Sequence, residues 1–173
     1  MRQKLKMLLK AVVVLIMVVW IFSKIPFSKT INQEISARIY ENGRITGETK
    51  VIIDGARSHY LFTENEWFHG KFYITAYEKS GRQDMTASIR WKNEDTIQHL
   101  TYFQNAGFPS MDIINTLIMN DTMTQFALMF TDGTVIATSD EIYQIDIKHI
   151  SYDRDTGVTS IDDVGRIPKI ETP

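Results

Sequence analysis

Four histidines, His59, His69, His99 and His149, are the side chains in this chain best suited to metal or acid–base work. No two stand two or four residues apart, so no short segment sets a pair on one strand face or helix face. His99 has apolar neighbours and reads as an interior or edge histidine. The acidic run Asp153-Arg154-Asp155-Thr156-Gly157, with Asp162 and Asp163 beyond it, invites a calcium loop. Its spacing fails: with Asp153 first, the fifth position is Gly157 and the twelfth is Val164, where oxygen ligands are needed. Serine catalysis has no G-x-S-x-G elbow. Glu64/Glu66 and Glu94/Asp95 are carboxylate pairs, but nothing sets either pair across a cleft. The phosphate-binding and dinucleotide glycine motifs are both missing. The reading is a protein with no catalytic, metal or cofactor site, and not an enzyme.

One cluster suits recognition instead. Tyr60, Phe62, Trp67, Phe68, Phe72, Tyr73 and Tyr77 put seven rings into a short segment. If Phe72 and Ile74 face a core, strand alternation turns Tyr73 and Tyr77 outward. Trp67, Tyr73 and Tyr77 are therefore the candidate partner-binding residues, offering large apolar area with polar tips. The competing reading is a sheet buried on both faces, with those rings packed inside.

These residues must be carried by strands. Met85, Ala87, Ile89 and Trp91 alternate with Thr86, Ser88, Arg90 and Lys92, the pattern of a half-buried antiparallel strand. Phe72–Tyr77, Thr124–Phe130 and Tyr143–Lys148 alternate in the same way. Ile35–Tyr40, Thr49–Ile53, Tyr60–Phe62, Ile97–Phe103 and Thr134–Thr138 are further strand candidates. Asn42-Gly43, Asp54-Gly55, Ser80-Gly81 and Asp132-Gly133 read as turns, the first in a loop that extends towards Gly47. Ser110–Asn120 places Met111, Ile114, Leu117 and Ile118 at helical spacing, and predicts one short helix capped by Ser110. The fold class is all-β: a small antiparallel sandwich or barrel, with that possible helix.

The N-terminus differs in kind. Arg2, Lys4, Lys6 and Lys10 precede an uncharged run from Ala11 to Ser23, closed by Lys24. The run alone covers about 20 Å of helix, short of a hydrocarbon core of roughly 30 Å. Met7–Phe27 reaches about 31 Å, if Lys10 and Lys24 snorkel as flanks. A cleaved signal peptide is the rival, but no small-residue pair marks a cleavage site. The expectation is a signal anchor, a single transmembrane helix over 1–27. The excess of cations before the run puts the N-terminus in the cytoplasm and the rest outside, at the cell membrane. Residues 28–34, within the polar stretch Pro26–Gln33, form a short connector. Residues 35–151 form the β domain, and the turn-rich 152–173 form a flexible tail.

Composition narrows the partners. With no cysteine, an exported domain of about 145 residues relies on its core alone. Ser28–Lys92 carries a net charge of +2 and Asn93–Pro173 a net of −9, with no Lys or Arg between Lys92 and Lys148. Such a surface repels phosphate backbones, so nucleic acid is not a partner.

The run VIIDGARSHYLFTENEWFHGKFYI, followed later by TDGTVIATSDEIYQIDI, resembles uncharacterised small membrane-anchored all-β proteins of Gram-positive bacteria. The shared features are a strand, a D-G turn, an F-x-G-x-x-I strand (Phe68 to Ile74) and a closing hairpin. The resemblance covers about 40 residues. It implies an anchored β domain on the outer membrane face, and no activity or site residue. The expected function is a single-pass, extracytoplasmic binding or scaffolding module at the bacterial cell surface, with another envelope protein or a wall polymer as partner. The alternatives are a subunit of a larger envelope membrane complex and an envelope hydrolase.

Overall fold

The structure, a computed structural model, describes residues 2–61, 65–92, 97–104, 114–153, 156 and 158–161. Helix α1 (Arg2–Phe22) leads into strands β1 (Pro26–Glu41), β2 (Arg44–Tyr60), β3 (Asn65–Ile74), β4 (Met85–Lys92) and β5 (Ile97–Gln104). Strands β6 (Ile114–Met119), β7 (Phe126–Phe130) and β8 (Val135–Ala137) follow, then helix α2 (Asp140–His149). Strands β9 (Ile150–Asp153) and β10 (Val158–Ile161) make a separate two-stranded sheet.

Strands β1 to β8 pair in sequence order and close into a barrel. Of sandwich and barrel, the chain forms the barrel. Closure rests on a short antiparallel contact, Arg38–Tyr40 of β1 against Val135–Ala137 of β8. An eight-stranded barrel has an interior about wide enough for side chains to fill. Here Phe68, Phe72, Ile74, Ile89, Leu117, Phe126 and Leu128 fill it, all fully buried. Tyr102 joins them because its hydroxyl has a partner, donating to the Phe72 carbonyl at 2.7 Å. Burial pushes that hydroxyl's pKa well up.

A second apolar cluster lies outside the barrel. Ile118, Ala127, Met129, Val135 and Ala137 form a wall that Ile142 and Tyr143 of α2 cover. Strands β6 to β8 are thus buried on both faces. They read as continuous apolar runs, and periodicity cannot separate such a run from a buried helix. This explains one misreading: within the expected helix Ser110–Asn120, residues Ile114–Met119 are strand. Residues 110–113 lie outside the described residues.

The converse holds at Tyr143–Lys148, expected as a strand and found inside α2. Its buried residues Ile142, Tyr143, Asp146 and His149 repeat at helical spacing. Ser139 caps the helix, accepting from the Ile142 amide at 3.3 Å. Asp140 and Glu141 in the first turn and Lys148 in the last suit the helix dipole.

Two turn signals resolve differently. Asn42 and Gly43 have φ of 52° and 77° and close a two-residue hairpin, with Glu41 opposite Arg44. The loop is no longer than that, and Arg44–Gly47 is already strand. Asp54-Gly55 is not a turn but lies inside β2. There Gly55 faces Gly70 of β3, and a Cβ on either would run into the other strand's backbone. These glycines serve close strand approach.

The expected connector is strand as well. β1 begins at Pro26, paired with Tyr60 of β2, so 28–34 is hydrogen-bonded backbone. Residues 26–30 are exposed on both faces, which leaves no alternation to read. Part of the expected tail pairs too, as β9 and β10.

Helix α1 covers the expected segment only as far as Phe22: residues 23–25 are turn, and Pro26 and Phe27, expected at the end of the span, begin β1. Among the described residues, no helix is long and apolar enough to cross a membrane. The charge-free part of α1, Ala11–Phe22, covers roughly 18 Å.

Candidate functional site

Strand β3 turns Phe68, Phe72 and Ile74 into the barrel and Trp67, His69, Lys71 and Tyr73 out. Register then builds a groove on the outer wall. Trp67 stands opposite Arg90 of β4, and Arg90 opposite His99 of β5. In the next row His69 faces Ser88, and Ser88 faces Thr101. Trp67, Ser88, Arg90, His99, Thr101 and Phe103 line a groove of about 430 Å³, with Ile97 at its end.

The walls are aromatic and cationic, the floor hydroxylic. The Arg90 guanidinium lies 4.7 Å from the Trp67 ring centroid, a cation–π contact. The Trp67 and His69 rings are nearly parallel, 6° apart in plane, with centroids at 6.2 Å. Phe103 is 40% exposed. Among the described residues that line it, none is a carboxylate. Such a surface stacks on a flat or ring-shaped group and donates hydrogen bonds to oxygens. Ser88 and His69 are cross-strand neighbours.

The three candidate residues part company. Trp67 lies in the groove. Tyr73 is on the same outer face of β3, half-buried, its ring against Gly81 of the 3-10 turn Glu78–Gly81. Tyr77 lies beyond the end of β3, so strand alternation does not reach it. It packs edge-on to Phe130, centroids 5.5 Å apart, against the interior cluster. His99, read as an interior or edge histidine, is exposed on the outer wall. Arg90, Thr101 and Phe103 were not singled out by sequence. The signal that could have found them is the wet face of each strand that neighbours Trp67.

The barrel mouth nearest α1 also concentrates charge. Arg57 pairs with Glu66, donates to the Asp121 carbonyl and lies 4.6 Å over the Trp91 ring. Gln33 donates to the Met123 carbonyl at 2.7 Å beside it. Gln33, Arg57, Glu66 and Asp121 line a second pocket, of about 410 Å³, together with Lys29, His59 and Thr122. Among the described residues no three His, Asp or Glu side chains are grouped to hold a metal ion. Compared with known proteins, the chain matches no protein family, no curated protein sequence and no solved structure.

Proposed function

We infer that this chain is a membrane-anchored binding module, with α1 as the anchor and the Trp67 groove as the recognition surface. The observation that carries the reading is the surface of α1. Every side chain from Ala11 to Phe22 is exposed, and the large ones are apolar on all sides of the helix. A helix with no polar face needs an apolar environment that this barrel does not supply. Lys10 and Lys24 lengthen the short charge-free stretch by snorkelling. The Lys24 ammonium already lies 6.0 Å from the Trp20 ring centroid, within reach of an interface belt. Only Ser23, Lys24 and Ile25 separate α1 from β1, a link short enough to support a barrel held close to the bilayer. The basic N-terminus argues for an extracytoplasmic barrel at a bacterial cell surface, facing an envelope protein or wall polymer.

A C-terminal reporter active only outside the cytoplasm tests the placement. The expected product is active and full length. An inactive reporter, or a product shortened by about 2–3 kDa, corresponding to cleavage near residue 24, defeats the anchor. Co-sedimentation with purified cell walls tests the groove, and Trp67→Ala should reduce it.

A second reading, a subunit of a larger membrane complex, draws on the brevity of Ala11–Phe22, which suits a helix packed beside others. Replacing residues 7–27 with a generic apolar anchor separates the two, since only the subunit loses function.

A further inference from the structure

Helix α2 is fastened to the barrel unevenly. At its N-terminal end Asp140 accepts from Arg38 at 2.8 Å and from the Tyr40 hydroxyl. Tyr143 stacks on Tyr40, with ring centroids 3.9 Å apart. Its C-terminal half carries Asp146, fully buried, with no hydrogen-bond partner for either carboxylate oxygen.

Among the described residues, none offers that carboxylate a partner. On α2 itself, Tyr143 and His149 share its buried face, while Glu141 and Lys148 are exposed. Strands β7 (FALMF) and β8 (VIA) beneath it have no polar side chain. β1 brings Tyr40 and Arg38, both engaged by Asp140. β6 brings Thr116, whose buried hydroxyl is also unpartnered. β9 brings the exposed Asp153, which accepts from the Thr156 amide. A carboxylate buried without a partner strongly disfavours its charged form. Burial accordingly pushes Asp146 up to about 7.

We propose that α2 is a pH-sensitive flap: ionisation of Asp146 loosens it from the outer wall of β6 to β8. In the undocked helix the carboxyl meets water and ionises as an ordinary aspartate. The open form therefore binds fewer protons than the docked one, and raising the pH favours opening. Opening uncovers the apolar wall of Ile118, Ala127, Met129, Val135 and Ala137.

Hydrogen-exchange protection of the α2 amides in full-length protein, held in detergent and corrected for intrinsic exchange, reads the opening directly. Protection should fall roughly tenfold per pH unit between about pH 4 and 7, then level off. Amides of β2 to β4 should not follow. Asp146→Asn should abolish the slope and His149→Gln should keep it. Protection of α2 that is flat in the wild type overturns the proposal, and this arm stands even if a variant misfolds. A slope that survives Asp146→Asn and vanishes in His149→Gln assigns the titration to the histidine and overturns it equally.

Discussion

Single residues in this barrel divide by which way the strand turns them. Trp67 faces out and is half-buried, so removing its ring empties a groove rather than the core. Trp67→Ala should cut ligand retention while the melting temperature moves by only a few degrees, in keeping with about 1 kcal/mol. If the variant instead loses its cooperative melting transition, Trp67 is a core residue and the groove is not a recognition surface. Gly70 is the opposite case. A methyl group there meets Asp54 and Gly55 of the neighbouring strand, with backbone rather than a flexible side chain in the way. Gly70→Ala should lower stability by about 1–3 kcal/mol, measured by denaturant titration. An unchanged midpoint would mean that β2 and β3 can part without cost. The sequence offered both residues, but with unequal clarity. Trp67 stood out as a ring in an aromatic run. The role of Gly70 depends on Gly55 standing opposite, and no local pattern announces a cross-strand pair. The grouping of Arg90, His99 and Thr101 around Trp67 was hidden for the same reason: register assembles the groove from three strands.

Elements were legible where one face is wet. β4 alternates cleanly because its inner row is apolar and its outer row polar, Ser88 being the one described outer residue that is covered, and Asn42-Gly43 marked the turn of a hairpin, though a tighter one than expected. Legibility failed where both faces are dry, as in β6, or both wet, as in the first third of β1. It failed again at α2, where Tyr143, Ile145 and Ile147 imitate a strand while the caps of a helix stand around them. Those caps have energetic content. Ser139→Ala removes the acceptor for the Ile142 amide and should weaken α2 by about 1 kcal/mol, seen as faster exchange in α2 and not in β3. Equal loss in both elements would show that α2 does not move as a unit. The two aspartates of α2 respond to pH in opposite senses. Asp140 is held below the usual carboxylate range by Tyr40 first and Arg38 second. Its help is present above the unfolded value and is lost as pH falls through the lowered one. Asp146 is raised, so its penalty grows as pH rises from the unfolded value to about 7. Docking of α2 should therefore be tightest near pH 4 and weaker on either side. An optimum above pH 7 in the same exchange experiment would contradict both assignments.

At the scale of the whole molecule, eight antiparallel strands in sequence order were within reach of the turn signals, but closure was not. It depends on three residues of β1 meeting three of β8 across nearly a hundred residues of chain. Neither segment carries a mark of that pairing. The same long β1 decides where the barrel ends and the N-terminal helix begins. Read from composition, the boundary falls near residue 35, because 28–34 is polar. Read from pairing, it falls at Pro26, because Pro26–Glu34 is hydrogen-bonded to β2 throughout. Ile31 and Gln33 also close the barrel mouth, Ile31 in the core cluster and Gln33 bonded to Met123. Among its described residues, helix α1 contributes none to either apolar cluster. A chain beginning at Pro26 should therefore keep a cooperative melting transition within a few degrees of the full-length protein, and should no longer float with liposomes. A chain beginning at Ile35 strands Ile52–Tyr60 of β2 without its β1 partner. It should lose several kcal/mol, through unmade backbone hydrogen bonds at roughly 1 kcal/mol each and the lost burial of Ile31. Equal stability of the two truncations would show that the long hairpin arm is an accessory. Flotation of the chain from Pro26 would show that the barrel itself, not α1, holds the protein to the bilayer.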